Sequence, residues 1–127
     1  MGKKLQLILA AVVIGVILTA CGGNSSTGNS SVEIIDTPAG DEREIVILGS
    51  NFEFDEEQYT ISAGETVKLI YRNAEGSHGI EIEKANIKLR HNQEVVVKFT
   101  EAGTYKIICN IYCGAGHTSM TAKLVVQ

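Results

Sequence analysis

The sequence predicts an all-β domain, a Greek-key β-sandwich over residues 44–127, preceded by an export signal and a flexible tether. Three observations predict it. Apolar residues recur at every second position rather than at every third and fourth, turn-forming clusters interrupt them at short intervals, and no stretch has the period of a long amphipathic helix. Seven or eight short strands in one small domain can bury their apolar faces by packing as two sheets.

The chain begins with Lys3 and Lys4 ahead of a low-polarity run from Leu5 to Ala20, the pattern of an export signal. The run is shorter than the roughly 20 residues that a membrane-spanning helix requires. Its end, Leu18-Thr19-Ala20-Cys21, resembles the lipobox of bacterial lipoproteins. That resemblance implies that Cys21 is lipidated, becomes the mature N-terminus and anchors the chain at the outer face of the bacterial cytoplasmic membrane. An ordinary signal peptide cut nearby, or a short anchor left uncut, are the alternatives.

Residues 21–43 are expected to be linker. Gly22 to Ser31 reads GGNSSTGNSS, with no apolar side chain to bury, and the polar character continues to Arg43 apart from Val32, Ile34, Ile35 and Ala39. Without Lys3 and Lys4, the 11 basic residues fall to 9 against 15 acids, a net charge of −6. Such a balance argues against nucleic acid as a partner.

From residue 44 onward, alternating segments carry Ile45 and Ile47; Val67, Leu69 and Tyr71; Ile80 and Ile82; Val95, Val97 and Phe99; Tyr105 and Ile107; and Leu124 and Val126. Turn signals fall between them at Ala63-Gly64-Glu65, Glu75-Gly76-Ser77, His91-Asn92-Gln93 and Glu101-Ala102-Gly103.

Between the last two strands lies CNIYCGAGHTSM, residues 109–120. It places Cys109, Cys113, His117 and Met120 in one end loop without a carboxylate or lysine, so its ligand should be soft or borderline. His78 follows the Glu75-Gly76-Ser77 turn, where a sandwich can bring it to the same end. Taken alone, the two cysteines of an exported domain fit a disulfide as well as a metal, although a loop this short gains little from a staple. A surface His117, a core-filling Met120 and a nucleophilic cysteine paired with histidine are further alternatives. Thiolate, imidazole and thioether together favour copper. His91 matches no ligand position and is expected to be an exposed loop residue.

Here the chain resembles a known family. Cys109-xxx-Cys113-Gly114-xx-His117-xx-Met120 matches the binuclear copper (CuA) motif of cytochrome c oxidase subunit II and nitrous oxide reductase. GTYKIIC before Cys109, EGSHG around His78 and FEFDEEQYTISAGETVKL extend the likeness over nearly all of residues 44–127, with subunit II of the B-type heme-copper oxidases nearest in pattern. The resemblance implies a cupredoxin-like fold and two copper ions bridged by the sulfurs of Cys109 and Cys113. His78 and His117 would each cap one copper, with Met120 and the backbone carbonyl of Ile111 as weak ligands. Sharing one electron between two metals lessens the structural change per transfer.

The chain departs from the family at several points. Ile111 stands where glutamate is commoner, although a backbone oxygen is the expected ligand there, and Glu75 replaces an aspartate. There is no tryptophan for the tryptophan-based electron-entry patch of many mitochondrial-type subunits, and the family's transmembrane helices are expected to be replaced by the lipid anchor.

The resemblance implies a membrane-tethered electron-transfer module, not catalytic by itself, that takes electrons from a cytochrome c or other small redox protein. It would pass them toward the catalytic subunit of a heme-copper oxidase. Two alternatives use the same residues: a copper-binding lipoprotein that stores or delivers Cu(I) for oxidase assembly, and a mononuclear blue copper protein. The second leaves one cysteine unexplained.

Overall fold

The computed structural model describes residues 31–127. The expected export signal, the lipidation site at Cys21 and the first part of the tether lie outside the described residues. The described residues form two five-stranded sheets, the sandwich expected from the alternation. The strands are β1 (Val32–Ile34), β2 (Arg43–Ser50), β3 (Glu53–Phe54), β4 (Gln58–Ile61) and β5 (Thr66–Asn73). They continue as β6 (Gly79–Ile82), β7 (Ile87–Arg90), β8 (Gln93–Phe99), β9 (Gly103–Cys109) and β10 (Thr121–Val126). One sheet has the order β1-β8-β5-β2-β3 and the other β4-β10-β9-β6-β7. No helix among the described residues is long and apolar enough to cross a membrane.

Period-two burial turns the sequence pattern into a core. Val67, Leu69 and Tyr71 of β5 face inward with Ile45 and Ile47 of β2, and across the sandwich they meet Ile80, Ile82, Ile107 and Leu124. Of the alternating residues singled out above, only Val95 is less than fully buried, and it still packs against this cluster. Phe99 and Tyr105 close the far end edge to face, with ring centroids 4.8 Å apart. Each such buried side chain stabilises the fold by about 1.5–3 kcal/mol relative to exposure, so the sheets hold the loops on a stiff frame.

Ten strands, rather than seven or eight, form among the described residues. The additional ones depend on distant partners. β4 pairs parallel with β10, and two-residue β3 exists only through Gly49 and Ser50 of β2. Local sequence shows such pairing poorly. β1 lies within the expected linker: Val32 is buried and pairs with Phe99. The linker therefore becomes sheet at the point where its first apolar residue can reach β8.

The topology gathers three connections at one end. Parallel pairing of β2 with β5 sets Gly49 beside Asn73, and antiparallel pairing of β6 with β9 sets Ile80 beside Cys109. The β2–β3 turn, the β5–β6 loop and the β9–β10 loop consequently meet.

Candidate metal centre

Cys109 reaches this meeting point because it ends β9 on the strand's buried phase, following Tyr105 and Ile107. The neighbouring strand begins alongside it: the Asn110 N–H donates to the Gly79 carbonyl at 3.1 Å. His78, immediately before β6, is thereby drawn inside and is only 1% exposed. Its Nδ1 lies 3.8 Å from Cys109 Sγ.

The backbone of His78 is also tied down. Its N–H donates to Asn73 Oδ1 at 3.2 Å, and the same oxygen accepts the Tyr71 hydroxyl at 2.7 Å. The Asn73 N–H in turn donates to His91 Nδ1 at 2.9 Å. His91 is exposed, as expected, but it orders the loop that carries His78.

Beyond Cys109 the chain folds back on itself. The Ile111 carbonyl oxygen turns inward to 3.1 Å from Cys109 Sγ, and Cys113 Sγ stands 3.7 Å from the same sulfur. Both cysteines are free thiols. The Gly114 carbonyl then accepts the His117 N–H at 3.1 Å, opening a single 3-10 turn (His117–Ser119). That turn places His117 Nδ1 3.7 Å from Cys113 Sγ. The Cys109 N–H donates to the Met120 carbonyl at 3.2 Å, which fastens the two ends of the loop together.

The ligating-type atoms of His78, Cys109 and Cys113 lie within 4.8 Å of one another, and His117 joins from the Cys113 side. Met120 lies beneath, fully buried. A side chain at Gly49 would strike the Tyr71 hydroxyl and the Met120 terminal methyl, so bare backbone is required there. Phe52 covers the loop in the same manner. A side chain at Gly116 would run into its ring, which also stands edge-on to His78 at 6.3 Å.

Exposure divides the cluster. Cys109, His78 and Met120 are buried, whereas Cys113 and His117 are partly open to solvent. Tyr112 beside them is 80% exposed, with its ring centroid 5.6 Å from that of His117. Burial, followed by a hydrogen bond with Cys109, raises the Cys113 thiol above its ordinary pKa. Burial chiefly, and the two cysteines secondarily, raise the Tyr71 phenol. Tyr71 is therefore a neutral donor to Asn73.

The residues fit copper. Two sulfurs and two imidazole nitrogens, with no carboxylate among them, form a soft donor set unsuited to magnesium or calcium. The two histidines approach different sulfurs, and the spacing leaves room between the donors.

Asn51, Phe52 and Asn73 escaped the sequence reading. For Asn73 a signal existed: it continues the inward phase of Val67, Leu69 and Tyr71, where a polar side chain needs a partner. Phe52 opens the FEFDEEQYTISAGETVKL stretch without being marked as part of the site, and Asn51, in the turn before it, carried no signal.

No protein-family model matches this chain. It is 28% identical over 87 residues to cytochrome c oxidase subunit 2 of Thermus thermophilus, an alignment covering 65% of this chain and 64% of that protein. The chain thus spans less than two thirds of that relative's length. Among solved structures, the periplasmic domain of cytochrome oxidase subunit II from Bradyrhizobium japonicum superposes with a TM-score of 0.64 at 14% identity. The superposition covers 71% of this chain and 86% of that domain. An amicyanin variant gives 0.51 at 22% identity, covering 76% and 99%. These structural likenesses show the fold, and the sequence likeness is to an oxidase subunit.

Proposed function

We propose that this protein is a one-electron carrier built on a binuclear copper centre of the CuA type. The observation that carries the reading is the succession of donor contacts: His78 Nδ1 to Cys109 Sγ at 3.8 Å, Cys109 Sγ to Cys113 Sγ at 3.7 Å, and Cys113 Sγ to His117 Nδ1 at 3.7 Å. Two sulfurs between two imidazoles provide a donor pair for each of two metals, whereas a single-copper site has no use for the second cysteine. Met120 and the Ile111 carbonyl complete the set as weak donors. When bound, copper supplies a reversible one-electron couple.

The chain's own residues contribute rigidity and direction. Fastened loop ends and a sandwich core hold the donors in nearly one arrangement for both oxidation states, which keeps reorganisation small. Burial of Cys109, His78 and Met120 excludes water from the inner side. His117 and Tyr112 face outward, so the short path for an electron arriving from a small redox protein, such as a cytochrome c, runs through them. The acceptor would be the catalytic subunit of a heme-copper oxidase, with lipidated Cys21 holding the chain at the outer face of the membrane.

Copper loading tests the proposal. The loaded protein should be purple, bind two coppers per chain and show a paramagnetic resonance spectrum with the electron shared equally between two nuclei. One copper per chain with a four-line spectrum would overturn it. Electron exchange with reduced cytochrome c, set against copper transfer to an apo acceptor, separates a carrier from a copper-delivery protein.

A further inference from the structure

The buried histidine has a second ring nitrogen that the donor set does not use. His78 Nε2 lies 3.1 Å from Asn51 Oδ1, and Asn51 comes from the β2–β3 turn, outside both metal-binding loops. We infer that Asn51 is a positioning residue: by accepting a hydrogen bond from the Nε2–H, it holds His78 in the tautomer whose Nδ1 lone pair faces Cys109. The inference rests on the proposed metal role of His78, and it adds a third loop to the centre.

An amide oxygen accepts hydrogen bonds and cannot donate them. With Oδ1 at His78 Nε2, the proton of the neutral imidazole belongs on Nε2 and the lone pair on Nδ1. That lone pair points to the sulfur, at 3.8 Å. A ligating histidine whose other nitrogen donates to an oxygen has both its tautomer and its ring direction set, and loss of such a partner typically costs about 10–100-fold in metal affinity.

The turn is placed to exert this hold. Pairing of Gly49 with Phe54 and of Ser50 with Glu53 anchors it to β2, and the carbonyl of Gly49 accepts the N–H of Ala74 at 2.8 Å from the loop that carries His78. The next residue, Phe52, lies on the backbone of Gly114 and Gly116 in the other metal-binding loop. One dipeptide therefore touches both loops, with Asn51 against the inner histidine and Phe52 against the turn before His117. Among the described residues, no other side-chain oxygen is hydrogen-bonded to the His78 ring.

The first measurement needs neither copper nor a variant. Nitrogen-15 spectra of the metal-free, reduced, full-length protein should show His78 with a protonated Nε2 and an unprotonated Nδ1. The opposite tautomer would overturn the inference whatever metal the protein binds. Asn51→Leu, which removes the acceptor, should shift His78 toward a mixture of tautomers. It should also lower copper affinity by at least about tenfold, with broadened or shifted visible bands. Asn51→Asp restores an acceptor oxygen and should return the Nε2–H tautomer and most of the affinity. An unchanged tautomer and affinity in folded Asn51→Leu would sink the role of Asn51 and leave the copper reading intact. A colourless wild-type protein with the expected tautomer would do the reverse.

Discussion

The two histidines of the centre sit at the same end of the same sandwich, yet their surroundings differ. His78 is buried, with its ring between Cys109 and Asn51 and its backbone fastened to Asn73. His117 is partly exposed, sits in a single turn of 3-10 helix and has the solvent-facing ring of Tyr112 for a neighbour. Both present Nδ1 to a cysteine sulfur at nearly equal distance, 3.8 and 3.7 Å. Equal donor geometry with unequal burial divides the centre: the inner half is part of the core, and the outer half opens to solvent.

The largest expected effect separates these halves by stability alone. Met120, fully buried beneath the cluster, should cost about 2–5 kcal/mol when replaced by alanine, because the lost contacts leave a cavity. Tyr112→Ala, a change on the outer face, should stay within about 0.5 kcal/mol. Urea unfolding of the reduced, metal-free proteins measures both. Equal effects of the two replacements would erase the distinction between inner and outer halves.

A second prediction concerns access. His78→Gly and His117→Gly should each destroy the wild-type copper spectrum. Added imidazole should restore it only in His117→Gly, where the vacated position opens to solvent. In His78→Gly the gap lies beside Phe52 at a position only 1% exposed, so a free ligand must displace packed side chains. Visible titration with imidazole reads the difference, and restoration of both variants alike would show that the inner side is not sealed.

What was legible in the sequence follows the same divide between local and distant contacts. Cys109, Cys113, His117 and Met120 could be read as one centre because twelve consecutive residues carry them. Strands β2, β5, β6, β8, β9 and β10 were legible because each shows its own two-residue period. By contrast, β4 needs β10, β1 needs β8, and Asn51 acts through a ring 27 positions away in the chain. His91 illustrates the limit: its exposure was read correctly, but its hydrogen bond to the Asn73 backbone depends on how the turn after β7 meets the end of β5.

The smallest effect belongs to the far end of the sandwich, and it tests whether acid sensitivity is separate from the metal centre. There Arg43 grips Glu65 through two hydrogen bonds, Nε to Oε1 at 2.7 Å and Nη2 to Oε2 at 2.9 Å. The Ser62 N–H also donates to Oε2, at 2.9 Å. These donors, Arg43 first, pull the Glu65 carboxyl down to about 2 from an ordinary value of 4.5. A lowered carboxylate stabilises the folded state above its ordinary value, and the contribution is lost as pH falls from about 4.5 to about 2. Because the pair is solvent-accessible, that contribution should be at most about 1 kcal/mol. Glu65→Gln should therefore lose less stability than wild type between pH 5 and pH 2, while the two copper-loaded proteins keep identical visible spectra at neutral pH. Parallel pH profiles would show that the Arg43 grip does not matter to folding. A changed spectrum would show that the two ends of the sandwich communicate, and that the stiff frame between them transmits strain.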